Sequence, residues 1–98
     1  MSPRRRKPRR CCPSRRPSDH TFKPAGTPVG RLKRVELGTD ELEAMSLCDR
    51  EGLTQAEAGE QMGISRGTVQ RLVYSGRKKV VEALLEGQAL VIVPHDVE

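Results

Sequence analysis

Residues 51–72 read EGLTQAEAGEQMGISRGTVQRL, and the architecture follows from how this stretch divides. Thr54 is followed three residues later by Glu57, the spacing of a capping box, in which the threonine hydroxyl and the glutamate carboxylate each satisfy a backbone N–H at a helix start. The helix opened there has room for only two turns before Gly63, where a missing side chain allows the left-handed conformation of a helix exit. Ile64 fills the turn from inside, and Ser65 caps the next helix. A short helix, a tight turn and a longer capped helix are the parts of a helix-turn-helix. Gly59, inside the first helix, costs about 1 kcal/mol relative to alanine. It is read as a small residue that lets the two helices approach closely.

The longer helix carries one apolar arc. Val69, Leu72, Val73, Gly76, Val80, Ala83 and Leu84 share a face at 100° per residue, which extends the helix to about Glu86, with Gly87 as the stop. A helix N-terminal to the pair begins at TDELEAM, capped by Thr39 or Asp40 and favoured by Asp40, Glu41 and Glu43 at its positive end. It runs to about Glu51 and stops at Gly52. The flanks hold two strand candidates, LKRVEL at 32–37 and ALVIV at 89–93, which pair with each other if they pair at all. The fold class is therefore mainly α: a three-helix helix-turn-helix module with two candidate short flanking strands. The domain spans 32–93, between a basic Pro-rich flexible arm (1–31) and a C-terminal tail (94–98).

Charge separates arm from module. Residues 1–34 hold twelve Lys/Arg against Asp19 alone, and residues 35–98 hold six against twelve Asp/Glu. Net charges of +11 and −6 follow, within an overall +5. A cation-rich arm on an acidic module points to a polyanionic partner. With one Tyr, one Phe and no Trp, the core is small and aliphatic. No apolar run reaches the roughly 20 residues that span a bilayer, and no apolar signal segment follows Met1. A cytoplasmic, nucleoid-associated protein with no membrane contact is expected.

On the long helix Gly67, Gln70, Arg71, Tyr74 and Lys78 project away from the apolar arc, with Arg66 at its border. Arginine pairs with guanine O6 and N7, glutamine with adenine, and Gly67 lets backbone come close to the bases. Ser65 and Thr68, with the free amides of the helix start, suit phosphate contacts that set register. In the arm, Arg4, Arg5, Arg6, Lys7, Arg9 and Arg10 suit phosphate or a minor groove. Basic residues on a solvated helix face, or near a helix end as with Arg77, Lys78 and Lys79, also occur with no ligand at all.

The segment DELEAMSLCDREGLTQAEAGEQMGISRGTVQRL, continued by GRKKVVEALLEGQAL, resembles the helix-turn-helix of sigma-factor region 4. More closely it resembles the prokaryotic family known as domain of unknown function 134, predicted DNA-binding proteins. PRRRKPRRCC is similar to that family's basic start with cysteine, and FKPAGTP to its F-x-P-x-G-x-P segment, so the resemblance covers nearly the whole chain. Two departures are Gly76, where the family has alanine, and GQALVIVPHDVE, which lacks the family's basic residue and glycine pair. The resemblance implies a transcriptional regulator that binds double-stranded DNA. Two alternatives belong to other classes: an RNA- or ribosome-associated accessory protein driven by its arm, and a sigma-like module docking on RNA polymerase.

Cys11, Cys12 and His20 are candidate metal or iron–sulfur ligands, yet adjacent cysteines fit one tetrahedral site poorly and no C-x-x-C exists. A complete ligand set needs sharing across a dimer, so no cofactor is expected; two thiols among arginines oxidise readily instead. Cys48 falls in a helical pattern, as a small buried thiol does. There is no Ser/His/Asp set, no phosphate-cradling loop and no H-E-x-x-H, and both histidines fall in terminal tails, so no enzyme is expected. Val81 and Leu85 lie off the apolar arc. A second apolar face implies a homodimer, with half-sites about one helical turn apart.

Overall fold

The computed structural model describes residues 21–95. Strand β1 (Thr21–Phe22) is followed by a single 3-10 turn at Val29–Arg31, and strand β2 (Arg34–Gly38) leads without a gap into helix α1 (Thr39–Met45). The helical path widens to a π-type turn over Ser46–Arg50, then come α2 (Gln55–Met62), α3 (Arg66–Glu86) and β3 (Ala89–Val93). The molecule is mainly helical with a small sheet of order β1-β3-β2. Among the described residues no helix is long and apolar enough to cross a membrane.

The two strands expected from sequence do pair, in parallel, from Arg34 opposite Ala89 to Gly38 opposite Val93. Parallel strands need a long crossover, and here all three helices supply it. Two details differ from expectation. Strand β2 starts at Arg34 rather than Leu32, and the segment read as arm contributes β1, antiparallel to β3 with Phe22 opposite Leu90. A two-residue strand lacks the alternation that marks strands in a sequence, because its register is set by β3 alone.

The first helix also begins one residue early. Gly38, not Thr39 or Asp40, occupies the cap position, and its N–H donates to Glu41 Oε1 at 2.8 Å. Thr39 and Asp40 are instead turned to the C-terminal segment. The His95 carbonyl accepts from the Thr39 hydroxyl at 3.1 Å and from Asp40 N–H at 3.1 Å. His95 N–H returns a bond to Thr39 Oγ1 at 2.9 Å, and its Nδ1 lies 2.8 Å from Asp40 Oδ2. His95 is thus a fastener at the start of α1, not part of a tail. Past Met45 the backbone takes the wider π spacing, with Glu51 N–H bonded to the Ser46 carbonyl at 2.9 Å, so the first helix is α-helical over a shorter span than expected.

Helix α3 packs on α1, α2, β2 and β3. Ala44, Ala58, Val69 and Val73 are buried at the centre of the helices, joined by Leu47, Cys48, Met62, Ile64 and Leu72. Small residues let the axes approach; Gly76 sits directly beneath the Met45 side chain. Leu37, Ala83, Ala89, Val91 and Ile92 extend the core to the sheet. Leu84, read as part of the apolar arc, is 77 % exposed. Its neighbour Ala83 is buried.

Candidate nucleic-acid interface

The helix pair forms as its local sequence requires. Thr54 Oγ1 accepts from Glu57 N–H at 3.1 Å, and Glu57 Oε1 accepts from Thr54 N–H at 2.8 Å, completing the box. Gly63 ends α2 at φ 74°, a conformation that favours glycine, and Ile64 N–H reaches back to the Gly59 carbonyl at 2.9 Å. A β-carbon added at Gly59 would stand 2.6 Å from the Ile64 carbonyl oxygen. Close approach at Gly59 therefore fixes how the turn, and with it the start of α3, sits against α2.

Ser65 caps α3, its Oγ accepting from Thr68 N–H at 3.1 Å. The two hydroxyls lie 2.9 Å apart, and Thr68 Oγ1 in turn accepts from Arg71 Nη2 at 3.4 Å. This chain of bonds gives Ser65 and Thr68 a structural task beside the phosphate contacts expected of them, and it holds the Arg71 guanidinium along the first turn. Arg66, Gln70, Arg71, Tyr74 and Lys78 are exposed; Gly67 and Thr68 are half-buried. A β-carbon at Gly67 would meet nothing nearer than Arg71 Nη1 at 3.9 Å, so this backbone lies open to an approaching surface.

The structure sorts the cations of α3 into two groups, which the sequence does not. Between Arg66 and Val81 the helix holds five Lys/Arg and no acid. Arg77 is held by Asp49 through both carboxylate oxygens, and that pairing keeps the Asp49 carboxyl below its usual range and the guanidinium above its own. Lys79 Nζ donates to Glu41 Oε1 at 2.9 Å. Arg66, Arg71 and Lys78 make no ion pair among the described residues. Glu41 also accepts from the Ser75 hydroxyl through Oε2. Burial pushes this carboxyl up, but the bonds from Ser75, Lys79 and Gly38 outweigh it and hold the group below the ordinary carboxylate range. Asp49, Glu41 and Ser75 are the positions that sequence reading missed; nothing in a stretch of sequence marks pairs 28 to 38 residues apart.

Cys48 is half-buried in the helical core, and burial pushes its thiol up, which keeps it protonated. The arm cations Arg4, Arg5, Arg6, Lys7, Arg9 and Arg10, and the candidate ligands Cys11, Cys12 and His20, lie outside the described residues. Among the described residues no group of three or more His, Cys, Asp or Glu is placed to hold a metal.

The family model described as "Protein of unknown function DUF134" matches residues 1–98. A UPF0251 protein of Dehalococcoides mccartyi is 55% identical over 71 residues, 72% of this chain and 61% of its own length. One from Vibrio parahaemolyticus is 50% identical over 76 residues, 78% of this chain and 79% of its own length. One from the archaeon Thermococcus kodakarensis is 49% identical over 79 residues, 80% of this chain and 70% of its own length. The chain thus spans less than two thirds of the Dehalococcoides relative. No solved structure matches.

Proposed function

The chain belongs to the family described as protein of unknown function DUF134, and we propose that it is a DNA-binding transcriptional regulator that reads the major groove with the first turns of α3. The sorting of cations carries this reading. Acidic partners on the α1 side hold Arg77 and Lys79 against the body, while Arg66, Arg71 and Lys78 stand on the outer face with Gln70, Tyr74 and an open backbone at Gly67. A helix whose cations served only solubility or its own dipole would have no need of that division. A helix start offered to a groove needs free side chains with donors, no nearby carboxylate to repel phosphate, and a rigid mount.

Each residue then has a role. Arg71 and Gln70 read base edges, Gly67 brings the backbone near them, and Ser65, Thr68 and the first amides of α3 fix register on phosphate. Arg66 and Tyr74 contact the flanking backbone, and Lys78 stands at the margin of that surface. The arm adds sequence-independent attraction. The protein acts by binding, not catalysis, with no cofactor.

Selection of bound genomic fragments, run beside RNA from the same lysate, tests the reading. DNA fragments sharing a motif are expected, and Arg71→Ala should cost roughly 1 to 3 kcal/mol on that motif but little on random DNA. Equal losses on both would reduce Arg71 to a phosphate contact. Enrichment of RNA over DNA would replace this reading with an RNA-associated role.

A further inference from the structure

Val81, Leu84 and Leu85 are 52 %, 77 % and 79 % exposed and lie together on the last turns of α3. At 100° per residue Val81 and Leu85 fall in line with Tyr74, and Leu84 lies to one side. Helix α3 packs on β2 and β3, yet these three side chains stay exposed. Single exposed apolar residues are ordinary, but three adjacent ones on one rigid helix form a patch that calls for a cover.

Residues 1–20 and 96–98 are poor in apolar side chains. Residues 1–20 hold only Met1, Cys11 and Cys12 as apolar side chains besides proline, and residues 96–98 hold only Val97. The charges around the patch suit a second copy. Lys78 stands one turn before it, and Glu82 and Glu86 flank its far side. Two such helices packed in parallel would set like charges together. Packed antiparallel, they set the lysine of one against the Glu86 end of the other, where the helix dipole is also negative.

We propose that Val81, Leu84 and Leu85 form the contact between two copies of this chain, packed antiparallel about a twofold axis level with residue 83 along α3, on the side away from the buried Ala83. The patch lies fourteen residues from Val69 at the centre of the reading turns, or about 21 Å at 1.5 Å per residue. The contact does not rest on the DNA-binding reading.

Sedimentation equilibrium of the full chain, over roughly two decades of micromolar concentration at low salt, tests the contact. The wild type should approach twice the 10.9 kDa of one chain, and Leu85→Glu should remain a monomer with unchanged circular dichroism and a melting temperature that no longer rises with protein concentration. Lys78→Glu and Glu86→Lys should each weaken pairing about tenfold, and the double variant should restore it. A wild type that stays monomeric, a dimer indifferent to Leu85→Glu, or a double variant weaker than either single one would each overturn the proposal. The fragment selection separates this from the functional reading. A dimer without sequence preference would sink the function alone, and a monomeric wild type with clear preference would sink the contact alone.

Discussion

Lys79 Nζ lies 2.9 Å from Glu41 Oε1, joining α1 to α3 across 38 residues of chain. Glu41 is 6 % exposed and also accepts from Gly38 N–H and the Ser75 hydroxyl. A carboxylate held below its ordinary range adds stability that is fully present above the unfolded-state value and is lost as pH falls through the lower folded one. Acid melts of the wild type should therefore show stability falling below about pH 4.5, the usual onset for glutamate. Glu41→Gln should lower stability at pH 7 by about 2 kcal/mol and flatten that acid slope. An unchanged slope would mean that other carboxylates govern acid unfolding.

The contact of Gly59 with the Ile64 carbonyl makes a sharper prediction, because backbone cannot yield as a side chain does. Gly59→Ala removes a helix-weakening glycine, worth about 1 kcal/mol in an open helix. Here the added methyl forces α2 and the turn apart, and a net loss of about 1 to 3 kcal/mol is expected. Thermal unfolding measures it. A rise in melting temperature would show that the helix pair opens freely.

Gly67→Ala should do the reverse. Its added methyl meets only the end of Arg71 and the Ser65 hydroxyl, both at ordinary contact distance, so the protein should gain about 0.5 to 1 kcal/mol. Affinity for the selected DNA should fall, because the methyl stands between backbone and groove. Stability and binding moving up together would place the DNA contact elsewhere on α3.

Salt separates the arm from the helix pair. Deleting residues 2–16 removes eight Lys/Arg, and if all of them neutralise phosphate, the slope of log affinity against log salt should flatten by up to about 7. Preference among sequences should survive the deletion. Loss of all preference in a folded truncated protein would make the arm the reader.

The helix pair, its caps and its turn are written in local sequence. A capping box, a serine cap and a glycine exit are hydrogen-bonding choices made within four or five residues, so Thr54, Glu57, Gly63, Ser65 and Gly87 carry their own instructions and the structure follows them. ALVIV likewise announced β3 through a run of β-branched residues. The outward set from Arg66 to Lys78 was legible because helical periodicity fixes which side chains share a face.

What lies between elements follows from long-range packing. It buried Ala83 and left Leu84 exposed, although periodicity sets both on one arc. It drew Arg77 and Lys79 to Asp49 and Glu41, leaving Arg66, Arg71 and Lys78 outward, though all five cations look alike in the chain. It also brought His95 to the first turn of α1, 55 residues from Asp40. The reason is one of range: a helix or a cap is closed by neighbours in sequence, whereas the limit of a buried face and the partner of a charge depend on where a distant element packs.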